Sequence, residues 1–165
     1  MKQGEDNIGF YNGFVPFNTE KISFGFITHN HMDHIGLLPV LAHQGLSCPV
    51  FTSYSTDMLM KVALNDTVTI TDKDLGRPIA SEEDMEKALD LIIGTTYKKQ
   101  IKPHKNIRIT FYSNGHLVGA TVVLIVITYP GREPITCILV IIRIVMYSLM
   151  LKCRQKRFEN LIFLI

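Results

Sequence analysis

The chain has 165 residues, of which 47 % are hydrophobic and 19 % charged; this suits one domain or a piece of one and excludes a disordered tail. Its three cysteines, Cys48, Cys137 and Cys153, have neither metal-like nor pairwise spacing, so a secreted disulfide scaffold is excluded and a reducing cytoplasm is expected. The net charge of +2 is uneven: residues 1–136 carry 12 basic and 14 acidic side chains, whereas 137–165 carry five basic ones and one acid.

The polar start, Met1-Lys2-Gln3-Gly4-Glu5-Asp6-Asn7, does not read as a signal peptide. Phe10 to Phe17 reads as a loop. Lys21 to Thr28 alternates and is rich in β-formers, which predicts a strand. A polar cluster follows, His29-Asn30-His31-Met32-Asp33-His34. Ile35 to Gly45 reads as a short helix, with Pro39 in its first turn and Gly45 at its stop. Pro49 to Thr52 reads as a buried strand. Ser55 to Asn65 has Met58, Leu59, Val62 and Ala63 at helical spacing.

Ser81-Glu82-Glu83-Asp84 followed by Met85, Ala88, Leu89 and Ile92 predicts a capped amphipathic helix that ends at Gly94. Ile107 to Tyr112 alternates as a strand and leads into Ser113-Asn114-Gly115-His116. Ala120 to Tyr129 is an unbroken apolar strand closed by Pro130-Gly131. Strands alternating with helices give an α/β layered fold class. The apolar run Cys137–Leu151 is 15 residues with Arg143 inside it; a membrane span needs about 20, so no membrane partner is expected.

The informative feature is His29-x-His31-x-Asp33-His34. At a strand end, residues i and i+2 point the same way, so His29 and His31 can converge on one ion. The following turn lets Asp33 and His34 face a neighbouring site. Imidazole and carboxylate are the ligands of catalytic zinc, which keeps a position open for water. Four ligand-type residues within six positions argue against a chance polar loop. His116 ends another predicted strand and is placed to supply a further ligand.

Thr28-His29-Asn30-His31-Met32-Asp33-His34-Ile35-Gly36-Leu37 resembles the metal motif of the metallo-β-lactamase fold. Pro49-Val50-Phe51-Thr52 with the helix after it, Glu83 to Ala88, and Asn114-Gly115-His116-Leu117-Val118-Gly119-Ala120 are similar to the β-CASP branch. That branch holds ribonuclease J and the mRNA 3′-end cleavage nucleases, and the resemblance covers about residues 20–136. It implies part of an αββα sandwich and hydrolysis of RNA phosphodiesters with zinc. It also implies that His29, His31 and His116 hold a first zinc, that Asp33 and His34 hold a second, and that Asp33 orients the attacking water.

The chain departs from that pattern in three places. The Asp-Cys-Gly-type motif that precedes the matched region in the family is missing. The window Val140-Ile141-Ile142-Arg143 has no Gly-Asp to bridge two metals. The β-CASP domain with its late histidine is absent. The expectation is therefore a partial metallo-β-lactamase domain over 1–136 and an atypical tail over 137–165, with activity weak or lost and the second metal poorly held. Codons for Leu139-Val140-Ile141 read one phase out can give Gly-Asp, which motivates the expectation that the tail is out of frame. Two other readings stand beside this one: a small-molecule lactone or thioester hydrolase of the same fold, and a non-catalytic zinc-binding fragment. His43, His104 and the stretch Lys98, Lys99, Lys102 and Lys105 read as solvated surface, although the lysines suit a phosphate backbone. Cys48 reads as a small buried hydrophobe.

Overall fold

The computed structural model describes residues 15, 17–75 and 80–139. Most of the predicted loop over 10–17 and the tail from 140 onward, with most of the run Cys137–Leu151, lie outside the described residues. A 3-10 turn at Thr19–Lys21 is capped by Asn18, whose side-chain oxygen accepts from Glu20 N at 2.9 Å. The strand predicted over 21–28 is much shorter: β1 spans only Gly25–Phe26. Among the described residues it is an edge strand, and Lys21 is used by the preceding turn.

The polar cluster and the helix after it also differ from expectation. Met32–Ile35 forms α1 and Leu38–His43 forms α2, with Gly36 capping the first and Pro39 in the opening turn of the second. A proline inside a single longer helix would remove a backbone bond and clash with the preceding turn, so the helix divides ahead of it. Gly45 lies at φ 91° just past α2, the left-handed stop a side chain would resist.

Val50–Ser53 forms β2 and Tyr54–Leu75 forms α3, ten residues longer at its C-terminal end than read. The helix shows two stripes at fourfold spacing. Thr56, Met60 and Leu64 are buried, whereas Tyr54, Met58 and Val62 are exposed, with Val62 at 63 %. The apolar residues read as this helix's face are therefore mostly its outer side.

Glu82–Asp90 forms α4, opened by a full capping box in which Ser81 Oγ accepts from Asp84 N and Asp84 Oδ2 accepts from Ser81 N, both at 3.1 Å. The helix ends at Asp90, not Gly94; Ile92–Thr95 is strand β3. Its Ile-Ile-Gly-Thr sequence favours pleated backbone, and β2 supplies the partner. The lysine stretch is likewise no simple loop, because Gln100–His104 is strand β4. Pro103 is tolerated there because β4 lies on a sheet edge among the described residues. Ile107–Ser113 is β5, Thr121–Ile127 is β6 and Ile135–Leu139 is β7.

The strands make two sheets. The first is parallel, in the order β1-β2-β3, with Gly25 opposite Val50 and Val50 opposite Ile92. The second is an antiparallel meander, β4-β5-β6-β7, with Phe111 opposite Val123 and Ile125 opposite Cys137. All four α-helices bury residues against the parallel sheet, among them Ile35, Leu41, Met60, Leu64 and Ala88. Phe24, Phe26 and Phe51 fill the space between the sheets with Ile109, Phe111, Val123 and Ile125. The fold is thus α/β, with three layers of the expected sandwich (helices, sheet, sheet) among the described residues. None of these helices is long and apolar enough to cross a membrane.

Candidate metal centre

Two apolar strands of the two sheets deliver the site, and one residue joins them. After β1 the chain stays extended: Ile27 N donates to Phe51 O at 2.9 Å, and Thr52 Oγ1 donates to Ile27 O at 2.9 Å. The carbonyl of Thr28 then accepts from both Thr121 N and Thr121 Oγ1, each at 2.9 Å. The Thr28 hydroxyl pairs with His29 Nδ1 at 2.9 Å. Thr28 therefore ties the start of the histidine motif to the first residue of β6.

His29 is only 1 % exposed. Metal binding through Nε2 requires the tautomer whose Nδ1 proton is donated to the Thr28 hydroxyl, a geometry that the 2.9 Å contact allows; outer hydrogen bonds of this kind orient metal-ligating histidines. That Nε2 lies 3.0 Å from His31 Nδ1. His31 stands at the N-cap of α1, and its ring makes no capping bond, so it is available to the cluster. His116 comes from the loop after β5, where Asn114 Oδ1 accepts from His116 N at 2.9 Å, and its Nε2 lies 3.4 Å from His31 Nδ1. The three rings meet edge-on, with centroids 4.6 to 4.9 Å apart, and one nitrogen from each falls within 4.8 Å of the others.

Asp33 and His34 sit beside this set on α1. The His34 ring is tilted against His29 with centroids 4.2 Å apart. Its Nε2 lies 3.7 Å from Asp33 Oδ2, and the Asp33 side chain is 55 % exposed. The described structure brings together His29, His31 and His116 as a potential ligand set and leaves Asp33 and His34 adjacent to it.

The electrostatics favour neutral rings. Burial, followed by the neighbouring His34, His31 and His116, lowers the pKa of His29 to about 4 against a smaller opposing pull from Asp33. His34 is also lowered, chiefly by burial, with Asp33 opposing. A metal needs unprotonated imidazole, and these surroundings supply it near neutrality. Tetrahedral zinc with bonds of about 2.0–2.1 Å sets its ligand nitrogens roughly 3.4 Å apart, close to the 3.0 and 3.4 Å separations found. The three histidines thus suit a metal ion in chemistry, and the two separations made by His31 suit zinc in spacing, within a set that spans up to 4.8 Å.

The remaining candidates lie elsewhere. His43 is on the surface, where its Nδ1 pairs with Asp84 Oδ2 at 3.0 Å. His104 is exposed at the end of β4, and its Nδ1 accepts from Asn106 N at 3.4 Å. Cys48 is buried, which raises its thiol pKa. The residues that sequence reading missed are the hydroxyls around the histidines, above all Thr28 and Thr121. Each looks like an ordinary β-former; the only available signal was a threonine directly before the first histidine and another opening the strand after the last.

Residues 13–133 match a family described as the metallo-beta-lactamase superfamily domain. Among curated proteins, a probable RNase of Methanocaldococcus jannaschii is 33 % identical over 100 residues, covering 61 % of this chain and 23 % of the relative. A ribonuclease of Thermus thermophilus is 30 % identical over 124 residues, covering 75 % and 27 %. Transcription termination factor FttA of Methanococcus maripaludis is 29 % identical over 119 residues, covering 72 % and 19 %. The chain spans about a quarter of the length of the first two and about a fifth of the third.

Proposed function

Because the chain belongs to the metallo-beta-lactamase superfamily, we propose that it is a zinc-dependent hydrolase acting on RNA phosphodiesters in a reducing cytoplasm. The observation that carries this is the convergence of His29, His31 and His116, one of them a buried neutral ring. The relatives named as ribonucleases and termination factors support RNA as the substrate.

In this reading the three histidines hold one ion. When bound, zinc supplies Lewis-acid chemistry, polarising a phosphoryl oxygen and making water a stronger nucleophile. Thr28 orients the His29 ring through its contact with Nδ1. Asp33, exposed beside the cluster, accepts a hydrogen bond from the attacking water and orients it. His34 and Asp33 offer only a loose second position, because their side chains lie 3.7 Å apart on one short helix. In this reading activity of the chain alone is weak, because the window Val140-Ile141-Ile142-Arg143 offers no acid to bridge a second ion.

The test is cleavage of labelled RNA by the purified chain with added zinc, beside lactone and thioester substrates. Slow RNA cleavage that stops on chelation and in His29→Ala is expected. Hydrolysis of the lactone or thioester without RNA cleavage would move the chain to small-molecule chemistry. One tightly bound zinc with no hydrolysis at all would make it a binding fragment.

A further inference from the structure

The loop that carries His116 has little apolar packing of its own. Val118 is 72 % exposed, and a side-chain carbon at Gly115 would meet open space. Its grip lies at Gly119, against the junction of β2 with α3. Ser53 Oγ donates to Gly119 O at 2.6 Å and Thr56 Oγ1 donates to the same oxygen at 2.9 Å. Each hydroxyl has one proton, and both can point at this carbonyl. The arrangement is closed from behind, since Thr56 N donates to Ser53 Oγ at 3.2 Å. Ser53 is 1 % exposed and Thr56 is fully buried, so water does not compete for these bonds.

The contact is also sterically tight. Gly119 has φ 86°, and a Cβ there would lie 2.6 Å from Thr56 Oγ1 and 2.7 Å from Thr56 N. The loop is thus pressed onto the first turn of α3, and it turns back at once: Ala120 N donates to Leu117 O at 3.0 Å and Asn114 N to Ala120 O at 3.1 Å. Asn114 in turn holds the backbone amide of His116. A continuous set of bonds runs from Ser53 and Thr56 to the third histidine.

We propose that Ser53 and Thr56 are positioning residues for the metal centre: together they clamp the Gly119 carbonyl and so hold His116 where it completes the set with His29 and His31. This rests on the zinc-site reading above. Outer groups that orient metal ligands change affinity by about tenfold to a hundredfold when removed, and that is the effect expected of Thr56→Val, which keeps shape and deletes the hydroxyl. Ser53→Ala should act in the same direction. Thr56→Ser keeps the hydroxyl and should restore wild-type affinity.

The measurements use the full chain, stripped of metal by chelator. Zinc affinity is read by competition with a chromophoric chelator, the ligand geometry by the visible spectrum with cobalt, and the loop by hydrogen exchange in the metal-free state. Thr56→Val should weaken zinc, alter the cobalt spectrum and speed exchange over 114–120 while exchange in β5 stays as in wild type. Unchanged affinity and spectrum in both Thr56→Val and Ser53→Ala would overturn the clamp. So would weakened binding in Thr56→Ser, because the methyl packing and not the hydrogen bond would then be in control. A wild-type chain that takes up neither zinc nor cobalt would overturn the hydrolase reading instead, and the exchange comparison would still decide the clamp.

Discussion

His31 stands two residues before Asp33 and three before His34, yet the pair His29 and His31 and the pair Asp33 and His34 are held in different ways. His29 is buried and bonded to Thr28, whose carbonyl is fastened to Thr121 in the opposite sheet. Asp33 and His34 ride on a single turn of helix, and the acid is more than half exposed. Sequence proximity thus says which residues share a neighbourhood, while hydroxyls from distant strands decide which of them are pre-set. An ion at the three histidines would meet one ligand, His29, already buried and bonded, whereas His31 and Asp33 are both exposed.

Replacing one member of each pair tests that difference most directly. His29→Ala and His31→Ala should each abolish zinc retention after dialysis, read by elemental analysis. Asp33→Ala and His34→Ala should leave about one zinc per chain. Equal loss in all four would erase the distinction between the pairs.

Next in size is Gly119→Ala, which tests the fastening itself. The positive φ and the clash with Thr56 should cost about 1–3 kcal/mol in urea unfolding of the metal-free chain. An unchanged midpoint would mean that the loop can move away from α3.

Acid should separate the buried ring from its surroundings without any mutation. The His29 pKa is about 4 in the fold against 6.5 ordinarily, so between these values the unfolded chain binds the extra proton. This contribution to metal-free stability is complete above pH 6.5 and falls away as pH drops toward 4. Asp33→Ala, which removes the charge that opposes the shift, should steepen the decline. A flat urea midpoint across that range would contradict the neutral-ring picture.

The smallest effect is expected away from the centre. At Asp84, burial works against the charge, but bonds from Ser81 and the His43 ring outweigh it and lower its pKa. Asp84→Ala removes half the capping box and should cost about 1 kcal/mol with no change in zinc content. His43→Ala should change less still.

The histidine motif was legible because its ligand types crowd into six positions after a β-rich run, and the α4 start was legible because Ser81 and Asp84 carry the capping box in their spacing. β3 was not, since Leu91-Ile92-Ile93 continues the apolar pattern of α4 without a breaker between them. β4 was hidden by Pro103 and the lysines, which only its edge position permits. In α3 the stripes Thr56–Met60–Leu64 and Tyr54–Met58–Val62 share one period, and periodicity alone does not say which faces inward. Thr28, Ser53 and Thr56 were silent because a hydroxyl's role depends on a carbonyl brought to it from far along the chain.

The distance along the chain across which Thr28 holds Thr121, 93 residues, also orders events in time. The strands of the antiparallel meander pair with their chain neighbours, and such short loops close in microseconds or less. The Thr28 contact closes a far longer loop, whose entropic cost must be met before the contact can form. A partly assembled chain would therefore carry its histidines as two separate groups, His29 with His31 and His116 alone, and the complete cluster would mark arrival at the native state.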